Sequence, residues 1–217
     1  GTEWAEERSY DAGVADRFTY ANPFQLSAEN GRIYNFWRGI DFNPTVATSD
    51  DNGRTWANAR NPIYYSKGQR PYAKYASGGV DTIHFAFGEG HPAQKDFDNS
   101  LYHAFYRDGK LHRSDGSVIG PLSDGPATPD NATKVYHGAG VPTGEAWVWD
   151  LHLDKGAHPV VVYSTHPSPE DIRYRYARWD SGAKQWHDRQ IAFAGRRVYG
   201  RRAYYAGRVW LHPRAPN

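Results

Sequence analysis

The side chains of this chain that can transfer protons or bind anions are histidines, tyrosines and arginines in a few short segments. His84, His91 and His103 lie in one such window, and His91 sits in a Gly-His-Pro sequence at the end of a run. Histidine exchanges protons near neutral pH, and arginine is a permanent cation that binds carboxylates bidentately. These residue types predict a site for an acidic ligand and for general acid–base chemistry that requires no metal or nucleophile.

A second group follows later in the chain. Tyr163 ends the run Pro159–Ser164, and Arg173, Tyr174 and Arg175 open the next run. Free tyrosine has a pKa near 10, so Tyr163 could act as a base only if a neighbouring cation lowered its pKa. We expect a hairpin to bring Tyr163 near Arg173, with His166 on the connecting loop Thr165–Asp171. Arg173 or Arg175 would be the cation. The alternative is an aromatic–arginine ladder that only stabilises a sheet.

The histidine window predicts a hairpin between the runs Thr82–Phe87 and Ser100–Tyr106. His84 and His103 would then be cross-strand neighbours. The alternative for each histidine, His91 included, is a packed side chain with one backbone hydrogen bond.

Three further positions could contact a ligand. Arg38 ends the run Arg32–Arg38, where it would contact an acidic ligand or lie on the surface. Asn99 would bond a ligand or cap its turn. Trp147 and Trp149 alternate along one run and could stack on a ligand, but we expect them to pack in the core.

The elements that must position these residues are strands. No amphipathic helix is evident, and short alternating or aromatic-rich runs are separated by Gly, Asn, Asp and Pro clusters. Asn30-Gly31, Asp108-Gly109 and Ser181-Gly182 are hairpin turn signals between paired runs. The runs fall into three sets of four: Pro23–Ala28, Arg32–Arg38, Thr45–Ser49, Trp56–Tyr65; Pro71–Ala76, Thr82–Phe87, Ser100–Tyr106, Leu111–Ile119; Ala146–Leu153, Pro159–Ser164, Ile172–Trp179, Trp186–Phe193.

Four strands per set is typical of the blades of an all-β β-propeller. We predict a single propeller domain or fragment, with blades at about 21–66, 70–120 and 134–194 and the start of a further blade at 204–217, including a strand Tyr204–Leu211. Propellers close with more blades than this. The remainder of the propeller, or another copy of the chain, is therefore an expected partner. An open β-sandwich is the alternative fold.

Residues 49–56 match the Asp box, S-x-D-x-G-x-T-W. Asn52-Gly53 tolerates the positive φ of a tight turn, and the polar side chains can bond its backbone. The tryptophan can cover the turn while its N–H finds an acceptor. The motif predicts a structural hairpin; its fixed positions are Ser49, Asp51, Gly53, Thr55 and Trp56.

Composition excludes several classes of function. The net charge is only +2, and the one dense basic cluster, Arg196-Arg197 with Arg201-Arg202, is short, so no nucleic-acid partner is expected. There are no cysteines, and no apolar run is long enough for a membrane helix. No metal site is predicted, because no H-x-x-x-H or EF-hand spacing occurs, although ten histidines leave a structural metal open. We expect a secreted or periplasmic protein.

Several segments together resemble the Asp-box (BNR-repeat) propellers that include ulvan lyases and rhamnose–glucuronate lyases. The resemblance covers most of the chain and is most specific between His84 and His103. Besides the Asp box, the matching segments are NGRIYNFWR (30–38), RPYAKY (70–75), DTIHFAFGEGHP (81–92), NSLYHAFY (99–106), IRYRYARW (172–179) and the C-terminal residues 205–217.

The resemblance implies β-elimination on a uronic-acid polysaccharide, with no cofactor required. It implies catalytic roles for His91, His103, Tyr163 and Arg173. Alternatives are a sialidase-like hydrolase, for which Glu89, Glu145 and Asp150 could supply carboxylates, and a non-catalytic carbohydrate-binding propeller. The substrate-binding residues expected under the first reading are Arg38, His84, Asn99, His166, Tyr174 and Arg175.

Overall fold

The chain forms three antiparallel sheets joined in sequence order. The computed structural model describes residue 7 and residues 19–66, 70–92, 99–138, 140, 144–198 and 207–216. Apart from single-turn 3₁₀ segments at Ser27–Glu29 and Ile40–Phe42, all named elements in these ranges are strands. The all-β prediction is confirmed.

The first sheet is a four-stranded meander. Asn30 and Gly31 connect its first two strands with φ of 55° and 77°, the left-handed conformations that the Asn-Gly signal predicts. Its third and fourth strands are joined by the Asp box. The strands, in spatial order, are β1 (Thr19–Leu26), β2 (Arg32–Arg38), β3 (Pro44–Ser49) and β4 (Ala57–Arg60).

The second sheet departs from a simple four-stranded meander at its outer edge. The predicted run Leu111–Ile119 is two short strands, because Gly116 reverses the chain with a φ of 87°. The segment Thr133–Tyr136, predicted at the start of the third blade, pairs with this sheet instead. Its strands are β5 (Ala73–Ser77), β6 (Thr82–Gly88), β7 (Leu101–Arg107), β8 (Lys110–His112), β9 (Val118–Pro121) and β10 (Thr133–Tyr136).

The third sheet is again a four-stranded meander. The prediction of a loop at Thr165–Asp171 is wrong, because strand pairing continues to Ser168, which lies opposite Asp171. His166 is therefore on a strand. The strands are β11 (Glu145–Leu153), β12 (Pro159–Ser168), β13 (Asp171–Asp180) and β14 (Gln185–Gly195).

The Asp box has the geometry that its sequence predicts. The carboxylate of Asp51 accepts the backbone N–H of Thr55 at 2.8 Å and its hydroxyl at 2.6 Å. Ser49 accepts the Gly53 N–H at 2.8 Å, and the indole N–H of Trp56 donates to the Gly53 carbonyl at 3.1 Å. The side-chain and backbone bonds from Thr55 lower the pKa of Asp51 to about 2.

Apolar side chains fill the spaces between successive sheets. Phe36 and Val46 of the first sheet pack with Phe85 of the second, whereas Ala86 of the second packs with Val148 and Tyr163 of the third. This face-to-face packing of sheets holds the first strands β1, β5 and β11 around one cleft.

The chain end is described only in part. Residues 201–202 of the basic cluster and 204–206 of the predicted strand Tyr204–Leu211 lie outside the described residues. Residues 207–211 are not assigned to a strand, but Leu211 packs on Val160 and Val162, and its N–H donates to Asp150 at 3.0 Å. These contacts bring Arg208 and Trp210 to the cleft.

Candidate functional site

The candidate site is the cleft between the first strands of the three sheets, with a volume of about 410 Å³. That volume lies in the range of ligand pockets. Successive residues of a strand point to opposite faces, so residues two apart share a face. Several polar and aromatic side chains of the cleft lining follow this spacing, as Tyr20 and Asn22, Tyr72 and Lys74, and Trp147 and Trp149 do. The lining also includes Trp37, Arg38, Tyr75, His91, Arg208 and Trp210.

Arg38 is fixed at the end of β2 by two hydrogen bonds. Its Nε donates to the Phe42 carbonyl at 2.9 Å, and its Nη1 donates to the Tyr72 hydroxyl at 2.8 Å. The guanidinium carbon also lies 4.7 Å from the centre of the Tyr72 ring. Among the described residues, Nη2 has no hydrogen-bond partner. Arg38 therefore presents a positioned cation with a donor to spare.

Tyr72, His91 and Trp147 form an aromatic group beside this arginine. The Tyr72 ring centre lies 4.8 Å from those of both His91 and Trp147, and the His91 and Trp147 centres are 5.0 Å apart. The three side chains come from the segment before β5, the segment after β6 and the start of β11. All three are half-buried, so a ligand in the cleft can reach them.

Asn99 lies beneath this group, on the side away from the cleft surface. It is fully buried, and its Nδ2 donates to the His91 carbonyl at 2.7 Å and to Glu145 at 3.3 Å. The structure thus gives Asn99 a positioning contact with the His91 backbone rather than a place on the cleft surface.

His84 and His103 are brought together, as the hairpin register predicts, but away from the cleft surface. Their facing ring nitrogens are 3.1 Å apart. His103 Nδ1 lies 2.8 Å from the Ser114 hydroxyl, which accepts the Trp186 N–H at 3.0 Å. All of these bonds are satisfied with neutral rings if the Ser114 O–H donates to Nδ1 of His103 and the Nε2–H of His103 donates to Nδ1 of His84.

Burial explains the electrostatics of this pair. His103 is fully buried and His84 nearly so. Loss of water around the charged form lowers the pKa of His84 to about 3 and places the pKa of His103 well below its usual value. Both imidazoles are therefore held in their neutral forms, and neither belongs to the described lining of the cleft.

Tyr163 faces Arg175 and not Arg173. The register pairs Tyr163 with Arg175, and the Tyr163 hydroxyl donates to Asp188 at 2.5 Å, with Arg175 Nε 3.4 Å away. The expected lowering of the Tyr163 pKa is wrong. Burial and the adjacent Asp188 carboxylate raise it well above its usual value.

The remaining predicted residues of the third sheet are also outside the cleft lining. Arg173 is held by Asp171 and Gln190. Tyr174 is half-buried on β13. His166 Nε2 lies 3.0 Å from the Ser164 hydroxyl, which accepts the Trp149 N–H at 2.9 Å. His166 is therefore connected to the cleft residue Trp149 through Ser164.

Sequence reasoning assigned no role to several cleft residues, among them Tyr20, Asn22, Tyr72, Lys74, Arg208 and Trp210. Tyr72 and Lys74 lie in the segment RPYAKY, which contributes to the family resemblance. The expectation of core packing for Trp147 and Trp149 holds only in part, because both also line the cleft. The sequence feature that could have indicated these cleft residues is an aromatic or cationic residue at alternate positions near the start of each blade's first strand.

The charge of the cleft lining is one-sided. Arg38, Lys74 and Arg208 are cations, whereas no Asp or Glu belongs to the lining among the described residues.

In the part of the chain that the structure describes, no group of three or more His, Asp or Glu side chains is arranged to hold a metal ion. No helix in the described part of the chain is long and apolar enough to cross a membrane.

The antiparallel sheets, the Asp-box hairpin and the cleft at the first strands define the class of β-propeller proteins. A model of the BNR repeat-containing family matches residues 2–194. The chain belongs to that BNR-repeat family. A search of curated protein sequences finds no match.

Solved structures with the same fold include two propeller enzymes. An ulvan lyase of polysaccharide lyase family 25, bound to -[GlcA(1-4)Rha3S]-, superposes with a TM-score of 0.61 at 18% identity, over 93% of this chain and 46% of the lyase. The Hadza microbial sialidase Hz136 superposes with a TM-score of 0.54 at 10% identity, over 84% of this chain and 39% of the sialidase. This chain therefore spans about half of the lyase and less of the sialidase.

Proposed function

We propose that the protein acts on a uronic-acid-containing polysaccharide and cleaves it by β-elimination in the cleft. The observation that carries the proposal is the contact between Arg38 and Tyr72, with His91 and Trp147 packed beside them in a lining whose described residues include cations but no carboxylate. The fold shared with an ulvan lyase supports this choice of reaction.

Elimination at a uronate requires an anion-binding group first. A donor must bind the sugar carboxylate, because neutralising that charge makes the adjacent C5–H acidic and stabilises the negative charge that develops when the proton leaves. Arg38 has this role in the proposal. Two of its nitrogens are occupied by Phe42 and Tyr72, which leaves Nη2 to face the carboxylate.

In the proposal, Tyr72 accepts one proton and His91 donates another. Tyr72, in its phenolate form, acts as the base that removes the C5 proton, because the Arg38 guanidinium donates to its oxygen and stabilises the negative charge there. The electron pair of the C5–H bond forms the C4–C5 double bond as the C4–O bond breaks. His91, in its protonated form, donates a proton to the leaving oxygen. The products are an unsaturated uronate and a new hydroxyl end.

This assignment replaces His103 and Tyr163 by residues that a substrate can reach. His103 and Tyr163 are fully buried and contact Ser114 and Asp188, respectively. Hydrolysis of the common kind is weaker for a separate reason: most retaining and inverting glycosidases use a pair of carboxylates in the cleft, sialidases with their tyrosine nucleophile being an exception, and the described lining supplies no carboxylate.

The test is to incubate the protein with a panel of uronate polysaccharides and follow ultraviolet absorbance and reducing ends together. Rising absorbance reports the C4–C5 double bond and is the expected result. New reducing ends without absorbance would replace the proposal with hydrolysis. Saccharide binding with neither signal would identify a non-catalytic carbohydrate-binding propeller.

A further inference from the structure

A second group of cationic and aromatic side chains lies in the same cleft, apart from the proposed catalytic group. The Arg208 guanidinium lies 6.0 Å from the centre of the Trp149 ring and 5.9 Å from that of Trp210. The Lys74 ammonium lies 6.0 Å from the Trp210 ring centre. These distances are those of cation–π contacts, so the four side chains form one cluster.

The two clusters are adjacent along the strands. Lys74 lies two residues after Tyr72, and Trp149 lies two residues after Trp147, so each pair shares one face of its strand. The ring centres of Trp147 and Trp149 are 6.4 Å apart. A chain molecule that contacts Tyr72 and Trp147 therefore reaches Lys74 and Trp149 with its next unit.

Trp149 packs partly against the core residues Val160 and Val162, but the outer side of the cluster is exposed. Trp210 is 61% exposed, and Arg208 is exposed as well. An exposed tryptophan between two cations is typical of a binding surface. The Trp149 N–H is occupied by Ser164, which fixes the ring and leaves its face toward the cleft.

The cations are only partly compensated. Burial and the nearby Arg208 lower the pKa of Lys74, whereas Asp150 opposes that shift. The Asp150 carboxylate also accepts the Leu211 N–H at 3.0 Å and lies 3.5 Å from His152. Among the described residues, Asp150 is the carboxylate whose charge acts on Lys74, and an additional anion would be stabilised beside Lys74 and Arg208.

We propose that Lys74 and Arg208 form a second anion-binding subsite, which holds a carboxylate or sulfate on the sugar next to the one at Arg38. Trp149 and Trp210 supply the faces on which that sugar stacks. This inference rests on the proposed acidic-saccharide substrate, but not on elimination itself. It implies selection for saccharides that carry negative charge on consecutive units.

The test measures binding by calorimetry, independently of turnover. The probes are tetrasaccharides of hyaluronan, with a carboxylate on alternate sugars, of oligoglucuronan, with one on every sugar, and of chondroitin sulfate, which alternates carboxylate and sulfate. The variant is Lys74→Gln/Arg208→Gln. The control, Lys110→Gln/Arg54→Gln, removes two positive charges at exposed positions outside the cleft.

We expect the cleft variant to bind oligoglucuronan or chondroitin sulfate about tenfold more weakly, with little change for hyaluronan and little effect of the control. The probe that loses affinity identifies the group as carboxylate or sulfate. Equal affinities of wild type and cleft variant for all three probes would overturn the subsite, as would equal losses in variant and control. Binding of no probe by the wild type would overturn it together with the acidic-saccharide substrate. Binding that depends on Lys74 and Arg208 without any unsaturated product would leave the subsite standing and reject elimination alone.

Discussion

Two regions of the molecule contain the same kinds of side chain in opposite environments. In the cleft, Tyr72 and His91 are half-buried beside Arg38 and border open volume. In the interior, Tyr163 is buried against Asp188, and His103 is buried against His84 and Ser114. Tyrosine, histidine and arginine thus occur both as a candidate reactive group and as internal structure, and access to the cleft separates the two.

The energetic consequences differ in the same way. The interior groups are held in their uncharged forms, because burial lowers the pKa values of the two histidines and raises that of Tyr163. Substitutions there should change stability, whereas substitutions in the cleft should change activity with little effect on stability.

The largest effect is expected from His91→Ala. Removing the proposed proton donor should lower kcat by about 10²–10⁴-fold, while the midpoint of thermal unfolding stays near that of the wild type. Single-turnover kinetics and thermal unfolding of the same preparation measure both. A variant that retains wild-type kcat would remove His91 from the reaction.

Acidification should destabilise the interior before it protonates most carboxylates. The His84 pKa is about 3 in the folded protein and about 6.5 when unfolded, so the unfolded state binds more protons below pH 6.5. Above about pH 6.5 the two histidines should not reduce the free energy of unfolding. That free energy should fall as the pH drops from about 6.5 toward 3. Denaturant titrations between about pH 7 and 4.5, where most carboxylates stay ionised, measure the slope.

His84→Gln provides the comparison for that slope. The substitution removes one buried titrating ring, so the variant should lose less stability over the same pH interval than the wild type. Identical slopes would show that His84 does not contribute to the acid sensitivity.

The smallest effect is expected at the solvent-accessible Asp box. Bonds from Thr55 and Ser49 lower the pKa of Asp51 to about 2, so its carboxylate stabilises the fold above about pH 4 and loses that effect as the pH falls toward 2. Asp51→Asn should lower the unfolding midpoint modestly at pH 7. The difference from wild type should shrink at low pH, and a constant difference would contradict the charge-based explanation.

Sequence patterns predict the fold well where the interaction is local. The Asp-box bonds, the Asn30-Gly31 turn and the strand Arg32–Arg38 depend on neighbouring residues, and the structure confirms them. The contact between His84 and His103 follows from the predicted hairpin in the same way: the register places His84 opposite Phe105 and His103 opposite Ala86, so the two rings are diagonal neighbours on one face. The continuation of strand pairing to Ser168 was missed because a Pro-Ser-Pro sequence signals a loop, whereas its partner strand keeps it extended.

The site could be predicted only in part because it is assembled from different blades. Arg38 and His91 were recognised as candidates, but Tyr72, Lys74 and Arg208 gain importance only when the three first strands surround one cleft. Conversely, Tyr163 and His103 have suitable chemistry in the sequence, and only the packing between sheets shows that they are buried. Alternation identifies the two faces of a strand but not which face borders the cleft.

The most direct test of the account is a paired measurement of elimination by Tyr72→Phe and Tyr163→Phe, with thermal unfolding of both. Each substitution removes a single hydroxyl, one bonded to Arg38 and the other to Asp188. We predict that Tyr72→Phe abolishes formation of the unsaturated product while its stability is kept. Tyr163→Phe should retain turnover and lose stability by about 1–2 kcal/mol. The opposite result, an active Tyr72→Phe and an inactive but folded Tyr163→Phe, would contradict the account and move the reaction to the third sheet.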